Sequence, residues 1–180
     1  MTLLCKFAQK YGTDKYPGYT PNYYNLLKDK RESFKKVLEL GIGIPRRMEH
    51  VPNYKVGASL YMWREFFPNA QIYGLDVSSE AMIKDEERIK TFLCDERKKD
   101  HLLSVIQKIG TDIDLFVDDG LHMHVYQLQT FQTLMPLFKK EVIYIIEDAS
   151  QLVKRPDLFA GYHHQIIIKD TARAVILTNI

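Results

Sequence analysis

The sequence predicts an α/β fold: a doubly wound, mostly parallel seven-stranded sheet with helices on both faces and an antiparallel hairpin at its end. Three observations predict it. Five short apolar runs of strand length come first, helical patterns separate them, and two further runs lie close together after residue 163. Because parallel neighbours require a crossover connection, strands that alternate with helices indicate a parallel sheet.

The first five runs have the length and apolar character of buried strands. They are KVLELG (36–41), QIYGLD (71–76), KTFLCD (90–95), IDLFVD (113–118) and VIYIIED (142–148). Between them, apolar residues recur at helical spacing in the ranges 58–67, 102–109 and 125–138. The closing runs, HQIIIKD (164–170) and RAVILTN (173–179), are joined by only a few residues, which predicts an antiparallel hairpin at an edge of the sheet.

Length and charge narrow the class of protein. The 180 residues suffice for one domain, and 25 basic residues against 23 acidic ones leave a net charge of +2. A chain this close to neutrality is not expected to bind nucleic acid through broad electrostatic attraction. We expect a single domain over residues 1–180, with a helical segment at 1–35 on the substrate side and a cofactor-binding core at 36–180.

Cysteine usage and hydropathy predict the compartment. Cys5 and Cys94 are too few for a disulfide framework, and no CxxC pair or cysteine–histidine cluster predicts a zinc site. The first residues lack the apolar run of a signal peptide, and no run approaches the ~20 residues of a membrane helix. We therefore expect a cytoplasmic protein without a membrane partner.

Acidic residues mark the ends of the predicted strands. The carboxyl ends of the strands in an open parallel sheet form its ligand crevice, so these side chains are expected at one edge. A single strand-terminal aspartate is commonly a cap or a turn residue, but the recurrence on one edge predicts a binding site. The residues are Glu39, Asp76, Asp95, the pair Asp118 and Asp119, and the pair Glu147 and Asp148.

The first strand leads into LELGIG (38–43), where Gly41 and Gly43 would let the backbone come close to a ligand and Glu39 adds an acceptor. A dinucleotide fingerprint would require a third glycine at position 46, which is Arg46, and this weakens a nicotinamide interpretation. Asp76 is suited to bind ribose hydroxyls at the end of the second strand. Asp95 ends the third strand, near where an adenine would lie.

A series of motifs then narrows the family. KYGTDK (10–15), YTPNYYNLL (19–27), LELGIG, a proline-bearing loop (43–57), GASLYMWREFFPNAQIYGLD (57–76), DLFVDDGLH (114–122) and YIIED (144–148) follow in order. In this order the chain resembles the Rossmann-like class I S-adenosylmethionine-dependent methyltransferases, and within them the macrocin and mycinamicin (macrolide-sugar) O-methyltransferase family. The resemblance covers nearly the whole chain.

The resemblance implies a magnesium-assisted methyl transfer from S-adenosylmethionine to a hydroxyl of a sugar or glycoside. The implied magnesium ligands are Asp119, Glu147 and Asp148, and the implied general base is His122. The chemistry of the residues agrees, because hard divalent ions bind several carboxylate oxygens and relieve the repulsion among clustered acids. Asp118 would face the cofactor or a backbone amide, since neighbouring strand residues point opposite ways.

Other interpretations stay open at this point. Asp118 and Asp119 would cap the following helix, with His122 in its first turn, if no metal were bound. The acceptor would be a catechol-like or other small diol if the pocket differed. A third interpretation is a catalytically degenerate module that binds the cofactor without turnover. Association with further copies of the chain is also open.

Overall fold

The seven-stranded sheet predicted from the sequence is present in the computed structural model of the chain, which describes residues 1–49, 51, 54–138, 141–169 and 171–178. The strand order is β3-β2-β1-β4-β5-β7-β6, and all neighbours are parallel except those of β7. The strands are β1 (Lys36–Leu40), β2 (Gln71–Asp76), β3 (Ile89–Leu93), β4 (Leu115–Asp118), β5 (Ile143–Ile146), β6 (His163–Lys169) and β7 (Ala172–Thr178).

Two apolar clusters cover the two faces of the sheet. The helices are α1 (Leu3–Tyr11), α2 (Thr20–Leu27), α3 (Ala58–Phe66), α4 (Lys99–Ile109) and α5 (His124–Leu134). Residues of α1, α2 and α3 pack on one face, around the fully buried Trp63, and residues of α4 and α5 pack on the other, around Phe116 and Tyr144. The alternation along β4 explains this division, since Leu115 and Val117 face the first cluster and Phe116 the second.

The observed strands are shorter than the predicted runs at several ends. β3 ends at Leu93, so Asp95 lies two residues beyond it. β4 begins at Leu115, because the carboxylate of Asp114 accepts hydrogen bonds from the N–H groups of Lys35 and Lys36 before the strand starts. Residues 170 and 179 of the predicted hairpin lie outside the described residues, but β6 and β7 pair antiparallel as predicted.

The amino-terminal segment is helical, as predicted, and it reaches the carboxyl edge of the sheet. α1 begins after Thr2, whose hydroxyl accepts a hydrogen bond from the Cys5 N–H, and it ends at Gly12 in the left-handed conformation. The turn that follows carries Lys15 under the ends of β1, β4 and β5. The described helices include none that is long and apolar enough to cross a membrane.

Candidate active site

A cavity of about 720 Å³ lies at the carboxyl ends of β1, β2, β4 and β5. The strand order reverses between β1 and β4, which is where open α/β sheets bind their ligands. The turn after β1 and the end of β2 form one wall, and the residues after β4 and β5 form the other. A smaller cavity of about 160 Å³ lies beside the end of β3. The crevice is therefore at the edge that the acidic residues predicted.

Asp76 organises the turn after β1. Its Oδ2 accepts hydrogen bonds from the backbone N–H groups of Ile42 (3.0 Å) and Gly43 (3.3 Å), and its Oδ1 accepts one from the N–H of Ser78 (2.8 Å). Asp76 also lines both cavities. Because an ionised carboxylate has about four acceptor positions, Asp76 retains capacity for a ligand hydroxyl while it holds the turn.

Gly41 and Gly43 are required by contacts within the protein as well as by the cavity they line. Both have positive φ angles, 89° and 82°. A Cβ at Gly41 would lie 1.9 Å from the carbonyl oxygen of Asp119, and one at Gly43 would lie 2.5 Å from the hydroxyl oxygen of Tyr54. The two glycines thus let the end of β4 and the ring of Tyr54 approach the turn.

Asp119, His122 and Asp148 form what we call the outer group, on the wall of the cavity opposite Asp76. One ligand atom from each lies within 4.8 Å of the others. His122 Nε2 is 3.0 Å from Asp119 Oδ1, and His122 Nδ1 is 3.5 Å from Asp148 Oδ2. Two carboxylates and an imidazole at this spacing fit a divalent cation.

The residues between β4 and α5 hold His122 in an unusual backbone conformation. Its φ angle is +56°, in the left-handed region that non-glycine residues seldom adopt. α5 begins two residues later, at His124, and no side chain caps its first turn. The interpretation of Asp118 and Asp119 as helix caps with His122 in the first turn is therefore wrong. The strained backbone instead turns His122 toward Asp119 and Asp148.

The surroundings of His122 favour its charged form. The hydrogen bond with Asp119 raises the pKa of His122 to about 9, with a further contribution from the charges of Asp119 and Asp148, while partial burial acts in the opposite direction. Burial alone would raise the pKa of the Asp119 carboxyl, but Lys15 and His122 outweigh it and keep that pKa below its usual value. The pair is thus an imidazolium beside a carboxylate.

A second set of side chains lies behind the outer group, and we call it the inner group: Lys15, Tyr23, Glu39, Trp63 and Glu147. Lys15 Nζ lies 2.7 Å from Asp119 Oδ2, 2.8 Å from Glu147 Oε2 and 3.2 Å from Glu39 Oε1. Tyr23 donates to Glu147 Oε1 (3.0 Å), and Trp63 Nε1 donates to Glu39 Oε2 (2.6 Å). The inner group is almost fully buried and mutually hydrogen-bonded.

Lys15 was not identified from the sequence, although its motif KYGTDK was. Burial alone would lower the pKa of its ammonium group, but the charges of Asp119, Glu147 and Glu39 outweigh burial and raise that pKa well above its usual value. Lys15 is therefore a permanent cation among the acids. Nothing in the local sequence could indicate this, since the pairing joins residues 104 and 132 positions apart.

Glu39 and Glu147 are at the predicted edge but do not border either cavity. Both side chains are buried, and their oxygens face Lys15, Trp63 and Tyr23 rather than the cavity. Burial raises the pKa of each carboxyl, and the charge of Lys15 opposes that rise. Cofactor binding by Glu39 and metal binding by Glu147 stay predictions.

Asp118 and Asp95 are also separated from the outer group. Asp118 is fully buried on the α4 and α5 face, and its Oδ1 accepts a long hydrogen bond (3.5 Å) from the N–H of Gly120. Asp95 borders the smaller cavity, but both of its oxygens accept hydrogen bonds from the guanidinium group of Arg97 (2.7 Å and 2.9 Å). Their roles in cofactor binding stay predictions.

Curated relatives were found by sequence, although no protein-family model matches the chain. The mycinamicin VI 2''-O-methyltransferase of Micromonospora griseorubida is 33% identical over 148 residues, which are 81% of this chain and 35% of the relative. The demethylmacrocin O-methyltransferase of Streptomyces fradiae is 32% identical over 148 residues, 81% of this chain and 36% of the relative. The chain thus spans about a third of the length of the curated relatives it matches.

A solved structure with the same fold agrees with these relatives. It is the MycE methyltransferase from the mycinamycin biosynthetic pathway, in complex with Mg, SAH and mycinamycin VI. The TM-score is 0.79 at 24% identity, and the match covers 97% of this chain and 52% of that one. The fold and the sequence together confirm the similarity inferred from the motifs: this chain resembles the macrolide-sugar O-methyltransferases.

Proposed function

We propose that this chain is an S-adenosylmethionine-dependent O-methyltransferase domain that acts on a hydroxyl group of a sugar or glycoside with the help of a magnesium ion. One observation carries the proposal: the outer group faces the turn after β1 and Asp76 across a single cavity. A cofactor bound at Asp76 and an acceptor held at the outer group would therefore meet in the same space. The sugar O-methyltransferases that the chain resembles support the choice of reaction.

Asp76, with the turn that it holds, is the proposed binding point for the ribose of S-adenosylmethionine. Gly41 and Gly43 keep this turn close to the cavity, and Asp95 and Asp118 stay secondary candidates because Arg97 and Gly120 already occupy them. S-adenosylmethionine, when bound, supplies a methyl group on a positively charged sulfur. The protein contributes proximity and orientation, which can account for a large share of the rate enhancement.

Asp119 and Asp148 are the proposed ligands of magnesium, since each has an oxygen directed at the outer group. Glu147 is the third residue of the predicted ligand set, but both of its oxygens already accept hydrogen bonds, so it would have to exchange a partner. When bound, the ion would supply positive charge that favours the ionised form of an acceptor hydroxyl. The other contacts of Asp148, to the hydroxyl of Tyr19 at 2.7 Å, orient its carboxylate.

His122 is the proposed general base. Its side chain borders the cavity, is 43% exposed, and has one ring nitrogen beside each of the two ligand aspartates. It accepts a proton only in its neutral form, so the ion pair with Asp119 must be relieved before it can act. A partner of Asp119 that competes with His122 would do this.

The remaining features support a small-molecule partner. Basic and acidic residues are nearly balanced, which favours a small acceptor over a nucleic acid. The described helices offer no membrane span, and the buried thiols of Cys5 and Cys94 are free, which supports a cytoplasmic location. We propose residues 1–35 as the substrate-side part of one domain because Thr13 and Asp14 border the cavity.

The proposal is tested by a methyl-transfer screen over glycosides and small diols, with magnesium and with excess chelator. We expect transfer to a glycoside that chelator abolishes and magnesium restores. Full transfer in chelator would contradict the role of the metal. Transfer to a catechol-like diol alone would overturn the acceptor class, and binding of cofactor without transfer to any acceptor would favour the degenerate module.

A further inference from the structure

The acidic residues at the carboxyl edge of the sheet would repel each other without a cation, and the structure contains one within the fold. Lys15 is 1% exposed, and its ammonium nitrogen lies within 3.2 Å of three carboxylates. Two of these, Asp119 and Glu147, belong to the predicted magnesium set. The clustering of acids therefore does not by itself require a metal ion.

The contacts of Lys15 are divided in a specific way. It occupies Asp119 Oδ2 and leaves Oδ1 on the side of His122 and the cavity. At Glu147 it occupies Oε2, while the hydroxyl of Tyr23 occupies Oε1. Lys15 thus orients Asp119 so that one oxygen is offered to the cavity, and it holds Glu147 away from the cavity.

We infer that Lys15 is the resident counter-ion of the acidic edge: it holds Asp119, Glu147 and Glu39 in place without a divalent cation and competes with such a cation for Glu147. Lys15 is accordingly a positioning residue. The inference rests on the proposed function only for the identity of the ion as magnesium. It predicts a protein that folds in chelator and that responds only weakly to magnesium.

The test replaces Lys15 by methionine, which has a similar shape and no charge. In K15M three buried carboxylates lose their shared cation, and breaking a buried ion pair on one side is strongly destabilising. We expect the melting temperature in chelator to fall by on the order of 10 °C. Magnesium should then raise the melting temperature of K15M by more than it raises that of the unchanged protein, because the ion replaces the missing charge.

Two further variants make the outcome specific. K15M/E147Q removes an opposite charge together with the lysine, and we expect it to recover most of the lost melting temperature in chelator. Lys10→Met is the matched control, because Lys10 also pairs with a carboxylate, Glu65 at 2.6 Å, but is 55% exposed. Surface pairs contribute little, so this control should change neither the melting temperature nor the response to magnesium.

The inference is overturned if K15M is as stable in chelator as the unchanged protein, or if its response to magnesium is no larger. If K15M alone does not fold, the double variant decides: folding of K15M/E147Q supports the inference and its failure to fold overturns it. None of these melting curves requires methyl transfer. A protein that shows them but never transfers a methyl group would leave the inference intact and refute the proposed function.

Discussion

The outer and inner groups share Asp119 but differ in what their remaining atoms can do. In the inner group both oxygens of Glu147 are taken by protein partners, and Lys15, Tyr23 and Trp63 are almost fully buried. In the outer group His122 and Asp148 are 43% and 45% exposed and border a cavity. Residues of one motif family can therefore divide into a stabilising layer and a reactive layer. Sequence order alone does not distinguish them.

The comparison predicts its largest effect at His122. His122→Asn removes the proposed base but changes no buried contact, so the single-turnover rate of methyl transfer should fall by roughly 10²- to 10⁴-fold. Cofactor binding and melting temperature should stay as they are. His124→Asn is the control, since His124 is exposed two residues further along and does not border the cavity. A loss of melting temperature with an unchanged rate per folded molecule would assign His122 to the stabilising layer instead.

A variant in the inner group should behave in the opposite way. Trp63→Phe keeps the aromatic ring but removes the N–H that donates to Glu39, which leaves a buried carboxylate oxygen without that partner. We expect a loss of roughly 1–3 kcal/mol in the free energy of unfolding, measured in urea, with cofactor affinity unchanged. Weaker cofactor binding without a stability loss would show that Glu39 reaches the ligand after all.

The smallest predicted effect is a shift in a titration. Without divalent cations, the imidazole resonances of His122 should titrate near pH 9, because its hydrogen bond with Asp119 raises its pKa. The stabilisation from this pair is fully present below the unfolded pKa of about 6.5 and is lost as the pH rises through about 9. Magnesium should lower the midpoint by competing for Asp119. A midpoint near 6.5 in chelator would contradict the ion pair.

Much of the fold could be predicted because its signals are local. Strand length, apolar character and the alternation of strands with helices indicated the sheet, and the short connection before β7 indicated the hairpin. The same alternation indicated that Asp118 points away from Asp119, and it does so. Strand ends were less predictable, as β3 shows, because the residues after Leu93 resemble a strand in composition.

The layers of the site could not be predicted because they depend on contacts between distant residues. Lys15 reaches Glu147 from 132 positions away, and Gly41 is required by the carbonyl of Asp119. Neither contact leaves a local pattern. The left-handed backbone of His122 is also invisible in DLFVDDGLH, where a helix cap was an equally good interpretation. Side-chain chemistry predicted the set of residues, and geometry divided it.

The central claim is that the cavity at this edge binds S-adenosylmethionine, and calorimetric titration with its demethylated product, S-adenosylhomocysteine, tests it most directly. We expect a single site in the unchanged protein. Asp76→Ala should weaken it by tenfold or more, because it removes both an acceptor for the ribose and the partner of the Ile42 and Gly43 N–H groups. Binding of NAD in place of S-adenosylhomocysteine, or S-adenosylhomocysteine binding that Asp76→Ala leaves unchanged, would contradict the account.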